Sequence, residues 1–98
     1  MSEVLAIWEA RVNADQWEPL KSAFADSASH MPAGVRELFL VQAEHEPSLW
    51  RAVSVWDGEA LKEYVRTIPV PGGKRLFAAV GVEATVRFFT VAVHRIVG

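Results

Sequence analysis

Leu49-Trp50-Arg51-Ala52-Val53-Ser54-Val55-Trp56-Asp57-Gly58-Glu59-Ala60-Leu61-Lys62-Glu63-Tyr64 reads as two elements in succession. From Leu49 to Trp56 the side chains alternate in character, which predicts a strand. Asp57 is a good N-cap, and Leu61, Tyr64, Val65 and Ile68 then recur at helical spacing as the inner stripe of a helix. Pro69 and Pro71-Gly72-Gly73 break that helix. The segment is thus a strand feeding directly into an amphipathic helix.

Upstream, Val35 to Ala43 predicts another strand, joined to Leu49–Trp56 by the polar turn His45-Glu46-Pro47-Ser48, which is of hairpin length. Glu3 to Val12 predicts a first strand with apolar residues in both alternating sets, as if covered on both sides. Asn13 and Asp15 supply helix-start chemistry, with Glu18 placed for a capping box and Pro19 tolerable in the first turn. Leu20, Ala23, Phe24, Ser27, Ala28 and Met31 form the stripe of that helix, and Pro32-Ala33-Gly34 ends it. Downstream, Lys74 to Val80 predicts a further helical turn or two before Gly81. Thr85 to Ile96 predicts a long final strand rich in Val and Phe. The order is β-α-β-β-α-β, the ferredoxin-like α+β class: a four-stranded antiparallel sheet with its helices on one face. The other face must then also be hidden from water, which predicts pairing with a second copy as a dimeric α/β barrel.

In the third and fourth strands, Leu49, Val53, Val55, Phe89, Val91 and Val93 share their sides with Arg51, Arg87 and Arg95, a pattern that suits packing beneath the helices. The opposite sides carry Trp50, Ala52, Ser54 and Trp56, and Val86, Phe88, Thr90, Ala92, His94 and Ile96. Aromatics mixed with small and hydroxyl-bearing residues fit a small-molecule cavity. They also fit a dimer seam, where Trp and Phe are enriched.

Composition narrows the function classes. Ninety-eight residues make one domain, and 51% apolar residues with four Trp and five Phe exceed what so small an interior readily buries. A net charge of −2 with both signs interspersed offers neither a nucleic-acid footprint nor a basic membrane face. The absence of cysteine excludes disulfides, thiolate nucleophiles and zinc–cysteine sites. Met1-Ser2-Glu3 lacks the start of a signal peptide, and Glu83, Arg87 and His94 interrupt the apolar stretch Leu76–Val97, so a cytoplasmic soluble protein is expected. Gly72-Gly73-Lys74 lacks the upstream glycine of a phosphate loop and reads as a turn. Glu59, Lys62, Glu63 and Arg66 read as a solvated helix face.

The segment Ser54–Tyr64 resembles the signature of antibiotic-biosynthesis-monooxygenase-like domains. There a Trp ends the third strand, an acidic stretch opens the second helix, and a Leu follows five residues after the Trp. Gly34 before the second strand and the layout of elements match as well. The resemblance implies a dimer with sheets packed face to face and a pocket in each subunit. It also implies chemistry of the kind some members perform, oxygenating polycyclic phenols without metal or flavin. Where that family often carries a His three residues after the Leu, this sequence has Tyr64. Haem-degrading relatives use a His on this helix and an Asn within the first strand, whereas Asn13 falls at the strand's end. The reading is accordingly one without cofactor.

On this reading Trp50 and Trp56 wall the pocket, Ser54 lines it, and Tyr64 and Thr90 orient substrate oxygens. His94 is the base, since imidazole titrates nearest neutrality. The competing readings are Trp56 and Trp50 as core or seam residues, Trp8 as packing, Tyr64 as a structural tyrosine and His94 at a solvated strand end. His30 suits a helix C-terminus and His45 a turn, and no metal-ligand spacing links them to His94. The function expected is a cofactor-independent monooxygenase acting on a small aromatic or polyketide-like substrate. The alternatives are a non-catalytic domain binding a small apolar ligand, and a purely structural dimer.

Overall fold

The computed structural model describes residues 2–98. β1 (Glu3–Arg11) leads through a 3-10 turn, Ala14–Gln16, into α1 (Trp17–Ala28). β2 (Val35–Gln42) and β3 (Leu49–Asp57) follow, then α2 (Gly58–Thr67), α3 (Gly72–Ala78) and β4 (Thr85–Thr90). The strands form one antiparallel sheet in the order β2-β3-β1-β4. This is the ferredoxin-like α+β arrangement expected from the order of elements. Among the described residues, no helix is long and apolar enough to cross a membrane.

Local chemistry accounts for most boundaries. The Asp57 carboxylate accepts from the backbone N–H of Glu59 at 2.9 Å and of Ala60 at 3.4 Å, so it caps α2 as the sequence indicates. At α1 the capping box does not form: neither Asn13 nor Gln16 caps through its side chain. The Trp17 indole N–H instead donates to the Val12 carbonyl at 2.9 Å and ties the helix start to the end of β1. Gly34 has a φ of 97°, a left-handed value that disfavours side chains. A Cβ there would also run into Ala60 of α2.

The final strand is shorter than Thr85–Ile96. β4 is an edge strand whose one partner is β1, and β1 begins at Glu3. Thr90 lies opposite Val4, and the Val91 N–H makes the last bond, to the Glu3 carbonyl at 2.9 Å. Past that point, among the described residues, no strand continues the ladder, and the chain runs on outside the sheet as a tail. Val93, Ile96 and Val97 in that tail are each more than four-fifths exposed.

The faces of the sheet are the reverse of the sequence expectation. Val4, Ala6, Trp8 and Ala10 of β1 and Trp50, Ala52 and Trp56 of β3 pack under the helices, against Leu20, Leu61, Leu76 and Phe77. Small residues on the two central strands leave room into which helix side chains and indoles interdigitate, a complementarity that uniform aliphatics lack. The outward face carries Ile7, Glu9, Arg51, Thr85, Arg87 and Phe89 together, and Phe39, Val41 and Phe89 are nearly half exposed. Arg51 pairs with Glu9 on that face at 2.6 Å.

Candidate functional site

A cavity of about 790 Å³ lies between the sheet and the helices, within the range of small-molecule sites. Its floor is the inner face of the sheet: Ala6 and Trp8 of β1, Ala52, Ser54 and Trp56 of β3, Leu38 of β2, and Val86 and Phe88 of β4. Space exists there because the central strands present Ala and Ser where a filled core would carry larger side chains. α1 supplies Phe24 and, just beyond its end, Met31; α2 supplies Leu61, Tyr64 and Val65; Gly72, Gly73 and Arg75 close the third side. Asp26 and Arg75 bring charge to the lining and His30 an imidazole, all at exposed positions of the helix side.

Two hydrogen-bonded groups sit among these apolar walls. The Trp56 indole N–H donates to Ser54 Oγ at 2.6 Å, and the Ser54 hydroxyl lies 3.4 Å from the Ala6 carbonyl, a long contact. The Tyr64 ring lies against Trp56 with centroids 5.0 Å apart and planes tilted by 42°. Its oxygen accepts the backbone N–H of Gly72 at 2.8 Å. Gly73 packs on the Trp8 indole so closely that a Cβ would enter the ring. The connection from α2 to α3 is therefore held to the cavity wall by a phenol and an indole.

Of the six residues expected at the site, Ser54, Trp56 and Tyr64 meet in this cavity. Trp50 does not line it. Its ring is buried against Trp17, with centroids 6.0 Å apart, and its indole N–H has no partner among the described residues. Thr90 is exposed at the end of β4. His94 stands outside on the tail, with Nδ1 2.8 Å from Glu3 Oε1. Thr90 is the last residue of the ladder, and His94 lies past its end, where the alternation no longer has a strand to follow.

That end of the sheet is an electrostatic cluster of its own. Glu3 also meets Arg36 at 3.2 Å, and Arg36 approaches Asp57 at 3.7 Å. The hydrogen bond with His94, with smaller help from the charges of His94 and Arg36, holds the Glu3 carboxyl below its ordinary value.

Trp8, Leu38, His30 and Arg75 are lining residues that the sequence reading did not place. Alternation alone reveals Trp8, once it is aligned with Ala6 and Ala10 on the small-residue face. His30 and Arg75 reach the cavity only through the packing of α1 beside α3, which no local pattern encodes.

Solved structures share this architecture over nearly the whole chain. SnoaB, a cofactor-independent oxygenase from Streptomyces nogalater, superposes with a TM-score of 0.61 at 16% identity, covering 98% of this chain and 97% of that one. A Chloroflexus aurantiacus protein provisionally named an antibiotic biosynthesis monooxygenase gives 0.65 at 19% identity, covering 99% and 100%. The chain has the fold of these oxygenases. The same fold carries a heme-degrading protein of Mycobacterium tuberculosis, with a TM-score of 0.69 at 19% identity over 99% and 98% of the chains. No protein-family model matches the sequence, and no curated protein does. At such identities the fold alone is common ground.

Proposed function

We propose that this protein is a cofactor-independent monooxygenase that oxidises a small aromatic or polyketide-like substrate in the cavity beneath its helices. The observation that carries the reading is the cavity itself: about 790 Å³, walled by Trp8, Phe24, Trp56, Tyr64 and Phe88, with hydroxyl groups inside it. An activated ring methylene can reduce dioxygen with its own electrons. CH2 and O2 become C=O and H2O, so the site's tasks are to hold the ring, exclude bulk water and stabilise the oxyanion formed when the ring carbon acid ionises. Trp56 is the wall against which the ring stacks, and Tyr64 contacts its oxygen. His30 is the cavity-lining imidazole in place of His94. The likeness of fold to SnoaB supports the assignment.

The working unit in this reading is a homodimer formed through the outward sheet face, where Phe39, Val41 and Phe89 stand nearly half exposed. The decisive experiment is oxygen uptake with anthrone and a panel of naphthols, in the presence of chelator and with no flavin added. Uptake with formation of the ring ketone or quinone is expected, reduced at least about tenfold in Trp56→Ala. Saturable binding across the panel with no oxygen consumed above the uncatalysed rate would replace catalysis with the alternative, a ligand-binding domain.

A further inference from the structure

A tyrosine hydroxyl both accepts hydrogen bonds and donates one. At Tyr64 the accepting role is in use, because the Gly72 N–H points at the oxygen from 2.8 Å. The donating role is free: among the described residues no protein acceptor takes the Tyr64 hydrogen. Two other hydroxyls line the cavity: Ser54 receives the Trp56 N–H and faces the Ala6 carbonyl, and Ser27 stands on the α1 side. Backbone groups on the floor are held in the sheet ladders. On the wall formed by Trp56 and Tyr64, away from Ser27, Asp26, His30 and Arg75 on the helix side, the cavity therefore offers the Tyr64 hydrogen and little to receive one.

We infer that the site recognises its ligand by an acceptor oxygen on an apolar ring system, a carbonyl, quinone or phenolate oxygen, which the Tyr64 hydroxyl meets as donor. This rests on the cavity being the ligand site, and it adds the polarity of the contact. Gly72 is the positioning residue for that polarity. Its N–H occupies the oxygen lone pair and strengthens the hydroxyl as a donor. Its missing side chain matters too, since a Cβ there would stand 3.3 Å from the Tyr64 oxygen. A ligand that can only donate leaves the Tyr64 hydrogen unmatched in a low-dielectric pocket, which costs affinity.

Two probes of nearly equal size test this: 2-acetylnaphthalene, which carries a ketone oxygen, and 2-isopropylnaphthalene, which does not. Dissociation constants come from tryptophan quenching, with the Trp56 indole resonance locating the bound probe. The ketone should bind about tenfold tighter to the native protein, and Tyr64→Phe should remove that margin. Tyr64 is the one tyrosine of the chain, so replacing tyrosine by 3-fluorotyrosine alters this hydroxyl alone. The fluorinated phenol keeps the Gly72 bond but is a stronger donor and weaker acceptor, and it should widen the margin. Equal binding of the two probes to the native protein, or a margin that narrows on fluorination, overturns the inference and leaves the cavity as a ligand site. Failure of both probes to bind a protein that is folded by circular dichroism overturns the cavity reading as well.

Discussion

Ser54 keeps a buried indole N–H satisfied, and this makes it a structural residue before it is anything else. Trp56 is 6% exposed, and its indole nitrogen reaches Ser54 Oγ at 2.6 Å. Ser54→Ala removes the acceptor without filling the space, so a loss of about 1–3 kcal/mol in urea unfolding is expected. Trp56→Phe in the same background should recover part of that loss, and a double-mutant cycle that finds the two sites additive would refute the coupling. Trp56 and Ser54 were legible in the sequence as cavity residues because both sit on the strand face that mixes large and small side chains. Trp50 shares that face and is not in the cavity. Alternation gives a side chain its face, but which neighbour rests on it depends on where a helix lands, and Trp17 of α1 lands on Trp50.

Among the elements, α2 was the most readable, since Asp57 caps it and its stripe begins at Leu61, within the stretch that also marks the end of β3. Asp57→Ala should cost about 1 kcal/mol, and Asp57→Asn much less, because the amide oxygen still accepts from the helix N–H groups. Gly34, where the chain enters β2, joins a left-handed φ of 97° to close contact with Ala60. Gly34→Ala is expected to destabilise by at least about 2 kcal/mol, read as a lower urea midpoint at unchanged m-value. The elements read less well are α1 and β4. The Asp15–Glu18 spacing matches a capping box, yet the chain starts α1 from a 3-10 turn with Trp17 pinned to Val12. Val91, Val93 and Ile96 continue the β pattern past Thr90, but a strand needs a neighbour as well as a propensity, and β1 has none left to offer.

At the scale of the whole molecule, the sequence showed apolar residues on both sheet faces, but not which face the helices take. The outward face leads to a test of assembly. Phe89→Glu places a charge in the proposed seam, and sedimentation equilibrium should show a dimer for the native chain and a monomer for the variant. The Glu3 cluster joins β1, β2 and the tail, and its pH dependence has a definite sign. A carboxyl whose folded value is lowered stabilises fully above the ordinary glutamate value of 4.5 and loses that contribution as pH falls through the lower folded value. Acid unfolding of Glu3→Gln should therefore be shallower than that of the native protein below pH 4.5, and curves that superpose would remove the cluster from the account. The small residues beneath the cavity carry a last consequence. Ala6, Ala52 and Ser54 set the depth of the floor while taking no part in its chemistry, so they work as a gauge for ligand size. Enlarging one of them by a methyl or two shortens the longest molecule that fits, and a set of such variants would grade the ligands this chain accepts with its sheet and helices left in place.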